Sequence, residues 1–159
     1  MCVSFFVGDN MDEKYMQLAI KEAKKAYKKD DVPVGAVIVK NNKVISKAHN
    51  QKEKKQNAIM HAEIIAIQKA CKKLKTWHLD DCVLYVTLEP CLMCAGAIIQ
   101  SRIKKVVYAT ASIKFGYIES IDNVLLNNKN NHFVEIEKNI CNTESQKLLK
   151  DFFKQKRKQ

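Results

Sequence analysis

A chain of 159 residues, 47% hydrophobic and 28% charged, suits one soluble domain with a core of its own. No apolar run approaches the roughly 20 residues of a membrane-spanning helix, which excludes a membrane protein. With 28 Lys and Arg against 17 Asp and Glu, the net charge of +11 predicts a surface that attracts polyanions, although lysine-rich composition also serves solubility alone.

The first ten residues lack the basic and apolar regions of a secretory signal. We therefore expect a loose leader at 1–10, a single domain over 11–159 and a cytoplasmic location. In that compartment cysteines should be reduced. Cys71, Cys82 and Cys141 stand among apolar or element-boundary residues, so core packing is expected for each of them.

The first elements are a helix and a hairpin. Apolar residues recur at helical spacing over 11–29, which predicts an amphipathic helix. Two runs rich in β-formers, 35–40 and 43–48, are joined by Asn41 and Asn42. Because asparagine tolerates the left-handed backbone of a tight turn, these runs predict an antiparallel hairpin.

A polar loop and a buried helix should follow. Residues 49–60 are polar and predict a loop, whereas 61–74 is apolar on most sides for two turns. The continuous apolar run 82–88 is typical of a strand covered on both faces.

The next elements form a crossover unit. Pro90 suits the first turn of a helix, which we place over 91–101, and a strand follows at 104–109. Strand, helix and strand in this order predict a parallel pair. A short strand at 132–136 and a basic helix at 143–158, opened by a Thr143 and Gln146 capping box, complete a three-layer α/β sandwich.

Two cysteines three residues apart, Cys91 and Cys94, lie at a predicted helix start. A C-x-x-C alone serves redox dithiols, zinc sites and helix cores equally. Upstream, "HAE" places His61 and Glu63 at another helix start. Catalytic zinc takes three protein ligands and a water, which His61 and the two cysteines would complete. Glu63, two residues from His61, points elsewhere and suits proton transfer at that water. A structural zinc site and no metal at all are the alternatives.

H-x-E followed by P-C-x-x-C is the signature of zinc-dependent nucleobase deaminases. The stretches "DVPVGAVIV", "MHAEIIAI", "LYVTLEPCLMCAGAIIQSRIKKVVYA", "NHFVEI" and "LLKDFF" resemble the tRNA adenosine deaminases that convert wobble adenosine to inosine. The resemblance implies a cytidine-deaminase-like α/β/α sandwich with a mixed, mostly parallel five-stranded sheet. It also implies one Zn²⁺ per chain, a homodimer, and the anticodon stem-loop of tRNA as partner.

The same resemblance assigns substrate contacts. It implies that Asn50 hydrogen-bonds the target base, that Val34 packs against this base, and that the backbone amides of Ala62 and Cys91 lie near it. Glu63 would shuttle protons to the ring and to the departing amino group. The alternative for Asn50 is a loop residue that caps its own backbone.

Basic and aromatic residues of the tail "KDFFKQKRKQ" suit contacts with phosphates and bases. The candidates for RNA contact are Lys114, Phe153, Lys154, Lys156 and Arg157. The alternative is a helix that docks its phenylalanines on the sheet and solvates its lysines, which fits Phe152 better than the charges.

The sequence departs from the family in one segment. After 104–109 the family commonly has Arg-Asp, then Lys, Gly and small residues, whereas this chain has "TASIKFGYIESIDN". Lys114 and Gly116 keep their places. In the family this segment flanks the active site and helps to hold nucleotides around the target. Two other functions stay open: a deaminase of free guanine or cytosine, and a noncatalytic, zinc-stabilised RNA-binding subunit.

Overall fold

The structure, a computed structural model, describes residues 10–159. The leader predicted for 1–10 therefore lies outside the described residues, apart from Asn10, with which the first helix begins. Across residues 10–159, no helix combines the length and apolar character needed to cross a membrane.

Helices and strands follow the predicted order along the described chain. Their bounds are α1 (Asn10–Lys28), β1 (Gly35–Lys40), β2 (Lys43–His49), α2 (Lys52–Lys55), α3 (Ala62–Leu74), β3 (Cys82–Leu88), α4 (Leu92–Gln100), β4 (Lys105–Thr110), β5 (Glu135–Lys138) and α5 (Asn142–Lys156).

The strands form one five-stranded sheet in the order β2-β1-β3-β4-β5. Strand β1 pairs antiparallel with β2 and β3, whereas β3, β4 and β5 pair in parallel. Among the strands of residues 10–159, β1 alone runs against the others, which confirms the predicted mixed, mostly parallel sheet. The hairpin turn is also confirmed, since Asn41 and Asn42 have φ values of 50° and 59°.

The two faces of the sheet are covered by different helices. Ile38 points into a cluster with Ala66 of α3 and Ile98 of α4. Its neighbour Val37 points to the other face and packs with Ile20 of α1. Alternation along the strand therefore divides the core into two layers, as the three-layer sandwich requires.

Helix α5 lies on the α1 side of the sheet. Phe152 is 5% exposed and meets the Tyr27 ring edge-on, with ring centroids 5.6 Å apart. Phe152 is thus buried, as the alternative for the tail expected, but the contact seen is with α1 rather than with the sheet.

Gly35 allows α1 to approach the beginning of β1 closely. A Cβ at this position would lie 1.9 Å from the carbonyl oxygen of Ala19 and 2.6 Å from the amide nitrogen of Ala23. No side chain fits there, so glycine is needed for the helix to reach this end of the strand.

The polar segment 49–60 is not entirely a loop, because it contains α2. The buried carboxylate of Asp31 accepts hydrogen bonds from the amides of Glu53 at 2.9 Å and Lys54 at 3.4 Å. This carboxylate satisfies free N–H groups at the start of α2, a contact between distant residues that local polarity does not reveal.

Two boundaries near the end of the chain were predicted wrongly. The last strand begins at Glu135 rather than at residue 132, because Glu135 already pairs with Lys105, the first residue of β4, and residues 132–134 lie beyond that end of the strand. Helix α5 begins at Asn142, and Cys141 caps it in a left-handed conformation without a side-chain hydrogen bond. Thr143 is therefore inside the helix, and the predicted capping box is absent.

Within residues 10–159, the three cysteines outside the C-x-x-C all pack in or against the core. Cys71 and Cys82 have free thiols and join the larger cluster. Cys141 is buried in the smaller cluster.

Candidate metal centre

Two helix starts meet at one end of the sheet. His61 immediately precedes α3, and Cys91 immediately precedes α4, each with extended backbone. Cys94 follows in the first turn of α4 and is fully buried. The structure thus brings together the three residues that the sequence predicts as metal ligands.

The donor atoms of these residues have the spacing of a metal site. The His61 Nδ1 atom lies 3.6 Å from the Cys91 Sγ atom and 3.6 Å from the Cys94 Sγ atom. With Zn–S near 2.3 Å and Zn–N near 2.0 Å, tetrahedral geometry needs a nitrogen–sulfur separation of about 3.5 Å. The nitrogen and sulfur donors therefore fit zinc in type and in separation.

The pKa values of the two cysteines are shifted in opposite directions. A hydrogen bond from the Cys94 thiol lowers the pKa of Cys91 to about 4, despite partial burial. The same bond, together with burial, raises the pKa of Cys94. Hydrogen bonding to Cys91 also raises the pKa of His61. Cys91 is thus held as a thiolate, the form that binds metals.

Glu63 lies beside this group but outside it. Its side chain is 4% exposed, and burial raises its pKa to about 7. Among residues 10–159, the group able to hold a metal comprises His61, Cys91 and Cys94, without Glu63. A carboxyl group with a pKa near neutrality can both accept and release protons at cellular pH.

The predicted substrate-binding residues form a hydrogen-bonded chain leading to the metal group. The backbone amide of Asn50 donates to the Val34 carbonyl at 3.1 Å, and the side-chain Oδ1 atom of Asn50 accepts from the backbone amide of Ala62 at 2.8 Å. All three residues are buried. Asn50 therefore anchors the start of α3, twelve residues away, rather than capping its own backbone.

The predicted RNA-contact residues occupy two separate places. Lys114 is exposed in the segment after β4, whereas Phe153, Lys154 and Arg157 are exposed at the end of α5. Lys156 is already engaged within the protein. Its ammonium group pairs with Asp30 at 2.5 Å and lies over the Phe152 ring.

Sequence reasoning missed Glu89, at the end of β3. Its side chain is 3% exposed and accepts four hydrogen bonds from residues 112–120. The available signal was an acidic residue directly after a buried apolar strand, where a carboxylate needs partners.

Comparison with known proteins identifies the class first. The profile of the MafB19-like deaminase family matches residues 10–157, nearly the whole chain. This match agrees with the fold and with the donor set, which together define a deaminase.

Individual relatives narrow the class. The tRNA-specific adenosine deaminase of Bacillus subtilis (strain 168) is 47% identical over 147 residues, covering 92% of this chain and 91% of the relative. A structure from a study of A-to-I editing by tRNA:A34 deaminases at the wobble position of transfer RNA is 36% identical, with a TM-score of 0.83, covering 86% of this chain and 99% of that one. A guanine deaminase from Bacillus subtilis is 35% identical, with a TM-score of 0.60, covering 72% of this chain and 73% of that one.

The identity and coverage of the first two relatives support the same conclusion. This chain belongs to the tRNA-specific adenosine deaminase family. The resemblance found in the sequence is thereby confirmed, and with it the cytidine-deaminase-like fold.

Proposed function

We propose that this protein converts adenosine to inosine by hydrolytic deamination at the wobble position of tRNA, with one Zn²⁺ per chain held by His61, Cys91 and Cys94. The observation that carries the proposal is the buried carboxyl group of Glu63 beside the three donor atoms. A purely structural metal site has no use for such a group, whereas hydrolytic deamination needs a group that moves protons.

Bound zinc would act as a Lewis acid and make a water molecule nucleophilic at neutral pH. Glu63 takes one proton from the attacking water and delivers it to ring nitrogen N1 of the adenine. As the C6–N6 bond breaks, Glu63 takes the remaining proton from the new C6 hydroxyl group and delivers it to the departing amino group, which leaves a C6 carbonyl group. Adenosine and water thus become inosine and ammonia, and Glu63 returns to its starting protonation state.

Binding of the base falls to residues around the start of α3. Asn50 hydrogen-bonds the flipped adenine, Val34 packs against it, and the backbone amide of Ala62 lies at the edge of the pocket. The contacts among these three residues support this role, because a preformed frame holds the base in a reactive position.

Binding of the surrounding RNA falls to the basic surface. Lys114, Phe153, Lys154 and Arg157 are exposed and can meet phosphates and unpaired bases of the anticodon stem-loop. Lys156 contributes less, because its charge is paired with Asp30.

The protein works as a homodimer in the cytoplasm, where tRNA is its partner. Exposed apolar side chains near the helices that carry the metal ligands support an association between copies. Leu92 at the start of α4 is 54% exposed, and Trp77 beyond α3 is 59% exposed. Large apolar side chains of this kind are enriched in protein interfaces.

Deamination of a free base on the same fold is the nearest alternative, since a guanine deaminase shares 35% identity. The net charge of +11 favours a polyanionic substrate, because a small neutral base gains nothing from such a field. A noncatalytic RNA-binding subunit is disfavoured by Glu63.

The test supplies purified, zinc-loaded protein with three substrates: an anticodon stem-loop carrying wobble adenosine, free guanine and free cytosine. We expect inosine in the stem-loop and no ammonia from either free base. Ammonia from guanine or cytosine without inosine would establish the free-base alternative. If zinc is bound and the protein is folded but no substrate gives a product, the noncatalytic RNA-binding subunit is the function that remains.

A further inference from the structure

Glu89 lies at the junction between the sheet and the metal group. It directly follows β3 and stands two residues before Cys91. Its own amide donates to the Thr110 carbonyl at 2.8 Å, which fixes the backbone here to the end of β4. The side chain is 3% exposed, so its carboxylate depends on protein groups in place of water.

Both oxygens of the carboxylate are used, and every donor belongs to the same segment. Oε1 accepts from the Glu119 amide at 3.1 Å, and from both the amide and the hydroxyl group of Ser120 at 3.0 Å. Oε2 accepts from the Ser112 amide at 3.4 Å. The donors surround one carboxylate although they span nine residues of chain.

The segment also closes tightly against this carboxylate at Gly116. A Cβ on Gly116 would lie 1.4 Å from Glu89 Oε2 and 2.7 Å from the Ser112 carbonyl oxygen. No other residue fits this place without displacing the carboxylate or the turn. The segment 111–121, which we call the Glu89 loop, therefore wraps around one buried side chain.

The Glu89 loop is tied to the metal ligands through a short path. The Tyr117 amide donates to the Pro90 carbonyl at 3.0 Å, and Pro90 directly precedes Cys91. Ile118 is 1% exposed in the larger core cluster. The Glu89 loop is thus held in place beside the beginning of α4.

The opposite side of the Glu89 loop is exposed to solvent. Ile113 is 78% exposed and Phe115 is 69% exposed, with exposed Lys114 between them. Two apolar side chains flanking a cation suit unpaired nucleotides, which stack on apolar and aromatic groups and carry phosphates. These three residues lie within the span that the Glu89 carboxylate holds.

We propose that Glu89 is a positioning residue, which fixes the Glu89 loop beside the metal group and so determines the affinity for the unpaired nucleotides around the target base. This inference rests on the proposed function for its substrate. Glu89 touches neither the base nor the metal ligands in this role. It acts through the loop, so its loss affects binding of RNA more than the chemical step.

The test compares Glu89→Ala and Glu89→Gln with the parent, and Asp80→Asn serves as a control carboxylate, which is exposed and pairs with Arg102 instead. With the wobble-adenosine stem-loop, Glu89→Ala should raise KM about tenfold or more and change kcat by less than about threefold, since four hydrogen bonds are lost. Glu89→Gln keeps one acceptor oxygen for three of the donors, so its KM should fall between those of the parent and Glu89→Ala.

A second measurement does not depend on activity. Hydrogen exchange at the amides of Ser112, Glu119 and Ser120 should be faster in Glu89→Ala than in the parent, at unchanged zinc content. Gly116→Ala should reproduce both effects with the carboxylate retained, and it keeps the inference testable if Glu89→Ala does not fold.

Parental exchange rates and a parental KM in both alanine variants would overturn the inference. A fall in kcat at constant KM, or loss of zinc, would also overturn it, by placing Glu89 in the chemistry or in the metal site. If the parent itself makes no inosine, the proposed function fails, whereas the exchange measurement still tests whether Glu89 holds the loop.

Discussion

The metal group and the Glu89 loop lie side by side, yet they are built in different ways. His61, Cys91 and Cys94 converge because two helices begin at the same end of the sheet, and a short motif at each start supplies the ligands. The Glu89 loop has no helix or strand of its own over 111–121. Instead, one buried carboxylate collects amides from positions far apart in the loop.

The difference separates what the chemistry requires from what the substrate requires. Zinc tolerates few donor types at nearly fixed distances, so the metal group leaves little freedom to the sequence. A loop that meets RNA needs only a stable shape and a suitable surface, and many sequences provide both. We therefore expect substitutions in the metal group to abolish activity and substitutions in the loop to change affinity.

Loss of a metal ligand should have the largest effect. Cys94→Ser removes a sulfur ligand from the buried side of the group, so bound zinc should fall from about one per chain to nearly none, and deamination should stop. Metal analysis after gel filtration measures the stoichiometry directly.

Cys71→Ser is the matched control, because Cys71 is a free thiol outside the group. It should keep parental zinc and activity. Full zinc content in Cys94→Ser would show that the ligand set is wrong.

Asn50 allows its two tasks to be separated. Asn50→Ala leaves the buried Ala62 amide without an acceptor, which should cost about 1–3 kcal/mol of folding stability. Asn50→Asp keeps an acceptor for this amide but removes the side-chain N–H donor. We therefore expect Asn50→Asp to melt near the parent and to lose at least about tenfold in kcat/KM.

Thermal unfolding and stem-loop kinetics decide between the outcomes. If Asn50→Asp deaminates as fast as the parent, the side-chain N–H group of Asn50 does not contact the base. The residue then serves only to hold the start of α3.

The reach of sequence reasoning follows the same division. The metal ligands could be found because H-x-E and P-C-x-x-C are local patterns with a strict chemical meaning. The strands could be found because burial imposes alternation or continuous apolar runs on neighbouring residues, as at Val37 and Ile38.

What could not be predicted depends on contacts between distant residues. Helix α2 begins against Asp31, about twenty residues earlier, and the Glu89 loop takes its shape from a residue in the preceding strand–helix junction. The capping box failed because Thr143 matched a local pattern, while α5 began one residue earlier. Local patterns carry no information about such partners.

Within the Glu89 loop, Phe115→Ala should weaken binding of the stem-loop by about tenfold, the loss expected for one stacked base. Phe133→Ala is the matched control. Phe133 is similarly exposed, at 65%, but lies near β5 beside the opposite end of β4. Fluorescence anisotropy measures the affinity of both variants for the stem-loop, each in a catalytically inactive background. Equal losses of affinity in the two variants would remove the loop from the RNA interface.

The tail should show the smallest effect. Replacing both Lys154 and Arg157 with alanine should lower the slope of log K against log salt by at most about 2, because each phosphate contact releases about one counterion. Lys43 and Lys72 provide an equal change of charge at exposed positions away from the start of α3. A double alanine variant at these two positions should keep the parental slope, and the same slope in both double variants would mean that the tail is only solvated.

The most direct test of the account concerns Glu63. Zinc-loaded parent and Glu63→Ala are incubated with the wobble-adenosine stem-loop, and inosine is measured together with bound zinc; Glu135→Gln, an exposed glutamate on β5, serves as control. We predict inosine from the parent and the control, a loss of about a thousandfold or more in Glu63→Ala, and equal zinc in all three. Inosine formed at the parental rate by Glu63→Ala would contradict the assignment of proton transfer to this residue.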